Sequence, residues 1–305
     1  MQDNMNAVST VVGLLNTAVR SAVSLILLPF SSLPPIIGLT FVSGLTAVLM
    51  LIAYKKTSNQ EAIAETKRSI VAGLFEMRLF NDDLRALFGA QFGLLRTNLT
   101  YMRLNLAPLG WMLVPLIFLV VQLQAHYGYK GLEIDEPTVL TVRLSEEYAA
   151  AWMPETDRRR HLESPTDATA KKPPIILRAP DGIRIDSPPV WASSRQEVSW
   201  RVVPLQDGEF VLSVEVDGVI YEKHASTGDA VHARSPFRVS PSLIDQLAWP
   251  IEPALPFEAP LVRMSLGYTE ATVSLFGWHT HWLITFFIFS IGLAFALKGR
   301  FGVTI

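Results

Sequence analysis

Two uncharged apolar runs on either side of a charged segment constrain this chain more than any other feature. Ile36–Tyr54 (IIGLTFVSGLTAVLMLIAY) is 19 residues without a charge, and Pro108–Gln124 (PLGWMLVPLIFLVVQLQ) is 17. A helix needs about 20 apolar residues to cross about 30 Å of hydrocarbon. A third run, Phe276–Leu297, has 22, with Trp278, His279, His281 and Trp282 near its start. Tryptophan at a span's edge suits the aromatic belt of a membrane interface. The two histidines fit interfacial polar positions better than a metal site. The expectation is three transmembrane helices, at 36–54, 108–125 and 276–297.

Charge orients them. Residues 55–107 hold eight Lys/Arg against five acids, and the tail at 298–305 adds Lys298 and Arg300. Residues 126–274 hold 15 bases and 22 acids. The positive-inside rule places 55–107 and 298–305 in the cytoplasm, and the N-terminus and 126–274 outside. The predicted location is the cell (inner or plasma) membrane, multi-pass. Net charge is −2, so the chain lacks the basic footprint of a nucleic-acid binder. With no cysteine it has no disulfide, thiolate metal site or thiol nucleophile.

The charged segment predicts a two-helix cytosolic coiled coil over 55–107. Ser58-x-x-Glu61 fits a capping box. Ile63, Ile70, Leu74 and Met77 recur at helical spacing, and Asn81-Asp82-Asp83 fits a break and a new N-terminus. Leu87, Phe88, Leu94, Leu95, Leu99 and Met102 continue the pattern. These apolar residues are expected to form the seam, with Phe75, Phe80 and Phe92 left to touch a partner. Thr40, Ser43 and Thr46 lie roughly along one side of the first span. They either pack against neighbouring helices or line a mildly hydrophilic groove. Pro115 implies a kink or local opening in the second span.

Residues 5–30 form an amphipathic helix with a polar stripe through Asn6, Ser9, Gly13, Asn16 and Arg20. It lies in the outer interface plane or forms a fourth span with Arg20 inside it. Pro34-Pro35 end it. From 126 to 274 the chain turns β-rich, with runs at 138–145, 197–205, 209–216 and 219–224, the last two joined by the hairpin signal Asp217-Gly218. That predicts an extracytoplasmic all-β, sandwich-like domain with a polar, Pro-rich loop at 153–174. Arg158–Arg160 fit a solvated charge run. No acid, base, nucleophile and metal set converges, so an enzyme is not expected.

In this order the features resemble the YidC/Oxa superfamily of membrane insertases, in its three-span branch of archaeal YidC-like proteins and subunit 3 of the endoplasmic-reticulum membrane protein complex. The residues that carry the likeness are LLPFSSLPP (27–35), YKKTSNQEAIAETK (54–67) and LNLAPLGWMLVPLIFLVVQL (104–123), with Pro108 and Pro115. The resemblance implies an insertase or chaperone without cofactor. Its partners would be nascent or unfolded membrane proteins and the lipid bilayer, with the ribosome or translocon as further candidates. Thr40, Ser43, Thr46, Pro115 and Ser290 would line its groove. The large outer domain departs from the branch, and the groove arginine of bacterial YidC has no clear match, since the first span holds no arginine and Arg20 sits in the preceding helix. A different reading makes the chain a membrane-anchored scaffold whose β domain recognises a partner.

Overall fold

The computed structural model describes residues 2–79, 84–152, 173–275 and 277–303. The chain divides into two compact units, one of Met1–Pro35 with Leu119–Trp282, the other of Ile36–Phe118 with Leu283–Ile305. Among the described residues four helices are long and apolar enough to cross a membrane, within Ser9–Phe30, Pro35–Thr57, Leu87–Tyr127 and Trp282–Phe301. A separate β-sheet region lies between the last two.

Among the described residues the first unit carries three antiparallel sheets, one of them a two-stranded hairpin at its end. Of the other two, the larger runs β3 (Ile183–Ile185), β5 (Glu197–Pro204), β1 (Thr138–Leu144), β9 (Leu261–Leu266) and β8 (Phe237–Val239), with β4 (Val190–Ala192) also on β5. The smaller runs β2 (Ile175–Arg178), β6 (Glu209–Val216) and β7 (Val219–Ser226). Alternation sets the faces: Leu140, Val142 and Leu144 of β1 point inward while Val139 and Arg143 do not. These side chains share one core with Trp200, Val202 and Met264, and with Leu177, Leu212, Val214 and Tyr221 of the smaller sheet. Both sheets thus contribute side chains to one core. β6 and β7 pair from Glu209↔Ser226 to Val216↔Val219. Asp217 (φ 48) and Gly218 (φ 80) supply the two left-handed residues of their turn.

Two boundaries are corrected. The strand region reaches His281, because β10 (Thr272–Leu275) pairs with β11 (Trp278–His281) and Gly277 turns between them at φ +84. His279 and His281 are therefore strand residues, not the first turn of a span. After the short helices α5 (Glu146–Ala150) and α6 (Leu243–Ala248), the last apolar helix, α7, starts at Trp282 and runs to Phe301. The aromatics of WHTHW are good strand formers as well as good interface residues, and β-branched partners on β10 decide between the two.

The β region is tied tightly to the end of the long helix α4 (Leu84–Tyr127). The backbone N–H of Arg234 donates to Ala125 O at 2.8 Å, and that of Ala271 to Gly128 O at 2.9 Å. The Arg234 guanidinium donates to the carbonyls of Tyr129 (3.1 Å), Gly228 (2.9 Å) and Ala230 (2.7 Å). Burial lowers its pKa, opposed by Tyr268, Asp229, Asp207 and Glu209. Close approach requires glycine at 131, where a Cβ would sit 2.1 Å from Gly228 O. The β region hangs on ordered backbone bonds rather than on a loose linker.

The second unit holds most of α2 (Pro35–Thr57), α3 (Gln60–Leu79), α4 up to residue 118, and α7 beyond Trp282. Gly44 brings α2 close to α7, with 3.4 Å from its Cβ position to Leu293 Cδ1, as small residues do in membrane helix pairs. Ile63 is fully buried beside Leu51, Tyr54 and Val303. The cap of α3 is Asn59 rather than Ser58. Asn59 Oδ1 accepts from Ala62 N at 3.0 Å, while Ser58 Oγ donates back to Tyr54 O. Ser58 still lies within reach of the preceding helix, so its hydroxyl closes that end and the next side chain opens the following one.

Candidate functional site

The hairpin expected at 55–107 appears as α3 and the first half of α4. They meet where Gly73 faces Leu94, with 3.4 Å from the Cβ position to Leu94 Cδ1. The residues between the two helices, Phe80 and Asn81–Asp83, lie outside the described ones, so the hairpin position assigned to Phe80 and the break there do too. So do Arg158–Arg160 and most of the 153–174 segment. α4 does not stop before the second apolar run. It continues for 44 residues, with Pro108 and Pro115 inside it. At 1.5 Å per residue that is about 66 Å, more than twice the hydrocarbon thickness. The helix runs on through Pro115, whose missing N–H leaves one intrahelical bond unmade.

The seam forms only in part. Of its expected members Ile63 is buried and Ile70, Met77, Leu87 and Leu94 are half-buried, but Leu74, Phe88, Leu95, Leu99 and Met102 are exposed. The glycine at position 73 brings the two helices close at one place. Phe75 (66% exposed) and Phe92 (73% exposed) are open. Phe88 joins them at 67% and Leu79 at 72%. The same helices carry Glu61, Glu65, Glu76, Lys67, Arg68, Arg78, Arg85 and Arg96. The result is a charged hairpin with large uncovered apolar side chains along it. Exposed patches of that kind mark interaction sites.

The hydroxyl face has a different character. Ser43 is fully buried and Thr46 and Ser290 nearly so, while Thr40 is half-buried. Thr40 donates to Ile36 O (2.7 Å), Ser43 to Leu39 O (2.7 Å), Thr46 to Val42 O (2.8 Å) and Ser290 to Phe287 O (3.3 Å). Each hydroxyl is turned back onto its own helix, a common state of Ser and Thr in helices. Sequence reasoning missed Thr285. It is fully buried on α7, and its Oγ1 has no hydrogen-bond partner among the described residues. Only its place one turn into an apolar helix signals it.

In the first unit the polar chemistry is structural. Lys223 Nζ pairs with Glu252 Oε1, both side chains essentially buried, and donates to Ser235 O at 2.6 Å. Burial lowers the Lys223 pKa, and Glu252 opposes that shift. Neither residue stands out in the sequence from the surface charges around it. Among the described residues, no group of three or more His, Cys, Asp or Glu side chains is placed to hold a metal ion. No protein-family model, curated protein or solved structure matches the chain.

Proposed function

We propose that the chain is a membrane protein insertase or chaperone of the YidC-like type. In this reading 36–54, 108–125 and α7 span a cell membrane, the α3–α4 hairpin lies in the cytoplasm, and the β region lies outside. The observation that carries it is the hairpin's row of uncovered apolar side chains, Phe75, Leu79, Phe88, Phe92 and Leu99, among charges. A helix pair whose only task was to connect two spans would cover them against each other. Left open beside a bilayer, they offer an apolar client segment a first contact before it enters lipid.

The work of insertion is moving the client's polar flank. A charged side chain at the bilayer centre costs several kcal/mol. Hydroxyls near the path reduce that cost by accepting or donating while the flank passes. Thr40, Ser43, Thr46 and Ser290 can exchange an intrahelical bond for one to the client, and Thr285 has a bond to offer without giving one up. Pro115 removes one backbone donor within the same helical unit.

Reconstitution is the test. Proteoliposomes containing the full chain should translocate the short polar flank of a single-span client at least about tenfold faster than protein-free liposomes, about 1.4 kcal/mol of barrier. Equal rates overturn the insertase reading.

A further inference from the structure

α1 (Gln2–Leu27) contains a 22-residue stretch, with the turn that follows, apolar enough to cross a bilayer. Its polar side is already engaged. Gln246 Nε2 donates to Ser9 Oγ at 2.7 Å, Asn16 Nδ2 donates to Gln246 O at 2.8 Å, and the Arg20 guanidinium donates to Ile251 O. Gln246 sits on the short helix α6 (Leu243–Ala248), and Ile251 in the Pro-rich segment after it. A cavity of about 430 Å³ lies between these elements, lined by Gly13, Asn16, Arg20, Trp249, Pro250 and Pro253.

The length of this contact decides where α1 can be. Ser9 to Arg20 is about 16 Å along the helix axis. A spanning α1 would take α6 and the irregular 249–257 backbone, with Asp245 and Glu252, across about half of the 30 Å hydrocarbon layer. Irregular backbone facing lipid does not occur there. The other side of α1 exposes Val11 and Leu25, Leu28 is exposed in the turn that follows, and Arg20 is the one charged residue in 9–30. α6 exposes Leu243 and, at 77%, Ile244. Seven residues of chain separate α1 from α2.

We propose that α1 and α6 form a lipid-binding face. α1 lies in the plane of the membrane interface on its apolar side, α6 dips Leu243 and Ile244 beside it, and the β region is thereby seated on the bilayer surface. The proposal rests on the reading of α2 as a membrane span, and adds to the insertase reading a partner for the β region, the outer lipid surface itself.

The chain has no cysteine, so Val11→Cys, Leu25→Cys and Ile244→Cys in the full-length protein each give one label site. Nitroxide-labelled variants in phosphatidylcholine/phosphatidylglycerol nanodiscs are read by oxygen against water-soluble nickel accessibility. Positions 11 and 25 are about 21 Å apart along the axis. The expected result is equal, shallow immersion at 11 and 25, and shallow immersion at 244. Three results overturn the proposal: depths at 11 and 25 that differ by most of that 21 Å, full water exposure at any of the three, or immobilised labels whose spin–spin broadening disappears on dilution with unlabelled protein, which would mean that a second copy covers the face. None of these depends on client transfer, so a chain inactive in the proteoliposome assay still reports its own depth.

Discussion

Glutamate at both Phe75 and Phe92 lowers client transfer in proteoliposomes by at least about tenfold and leaves the fold in place. Each phenylalanine can contribute about 1.5–3 kcal/mol when a client covers it. Both are more than 60% exposed in the free protein, so that gain is still available to a partner. Loss of both exceeds the 1.4 kcal/mol of a tenfold effect. Glutamate is a good helix former, and substitutions at exposed sites usually change stability by no more than about 0.5 kcal/mol. Helix content and unfolding midpoint should match the parent, which separates lost contact from lost structure. Retained transfer in the double variant would remove the hairpin from the client's path.

Glu252→Ala unfolds the β region far more easily. Its side chain is 3% exposed and that of Lys223 is 0%. Alanine leaves the ammonium buried with carbonyl acceptors and no counter-charge. Breaking one side of a buried pair costs about 3–5 kcal/mol. For a unit of this size that is a fall of about 10 °C in midpoint, followed through the near-UV signal of buried Trp200. Lys223→Met with Glu252→Leu should recover most of it, because removing both charges leaves nothing unpaired. The pH dependence has a definite sign. Burial lowers the Lys223 pKa below its usual 10.5. The unfolded chain therefore binds the proton more strongly, and stability rises with pH between the folded and unfolded values. Without Glu252 the folded value drops further and the window widens. The single variant should regain stability as pH rises toward the unfolded value of 10.5, and the double variant should not.

The parts that were legible in sequence are those with long or chemically strict signals. Nineteen uncharged residues at 36–54 leave little choice of environment, and Asp217-Gly218 leaves little choice of turn. Short strands such as Ile183–Ile185 and Val190–Ala192 have no room for periodicity, and exist because β5 pairs with them. The polar stripe of α1 was visible, but its partner was 230 residues away at Gln246. The hydroxyls at 40, 43 and 46 showed a polar side. Whether they face a groove or their own carbonyls is a rotamer question that spacing does not answer. The hairpin seam is partial for a related reason: helical spacing places apolar residues on a face without saying that another helix covers all of it.

The most direct measurement places a photo-crosslinking amino acid at position 92 of the full chain during synthesis of a single-span client. Leu49, exposed on the apolar α2, serves as the reference. The account predicts adducts with the client at 92 well above those at 49, appearing before the client is inserted. Labelling at 92 no stronger than at 49 would contradict it.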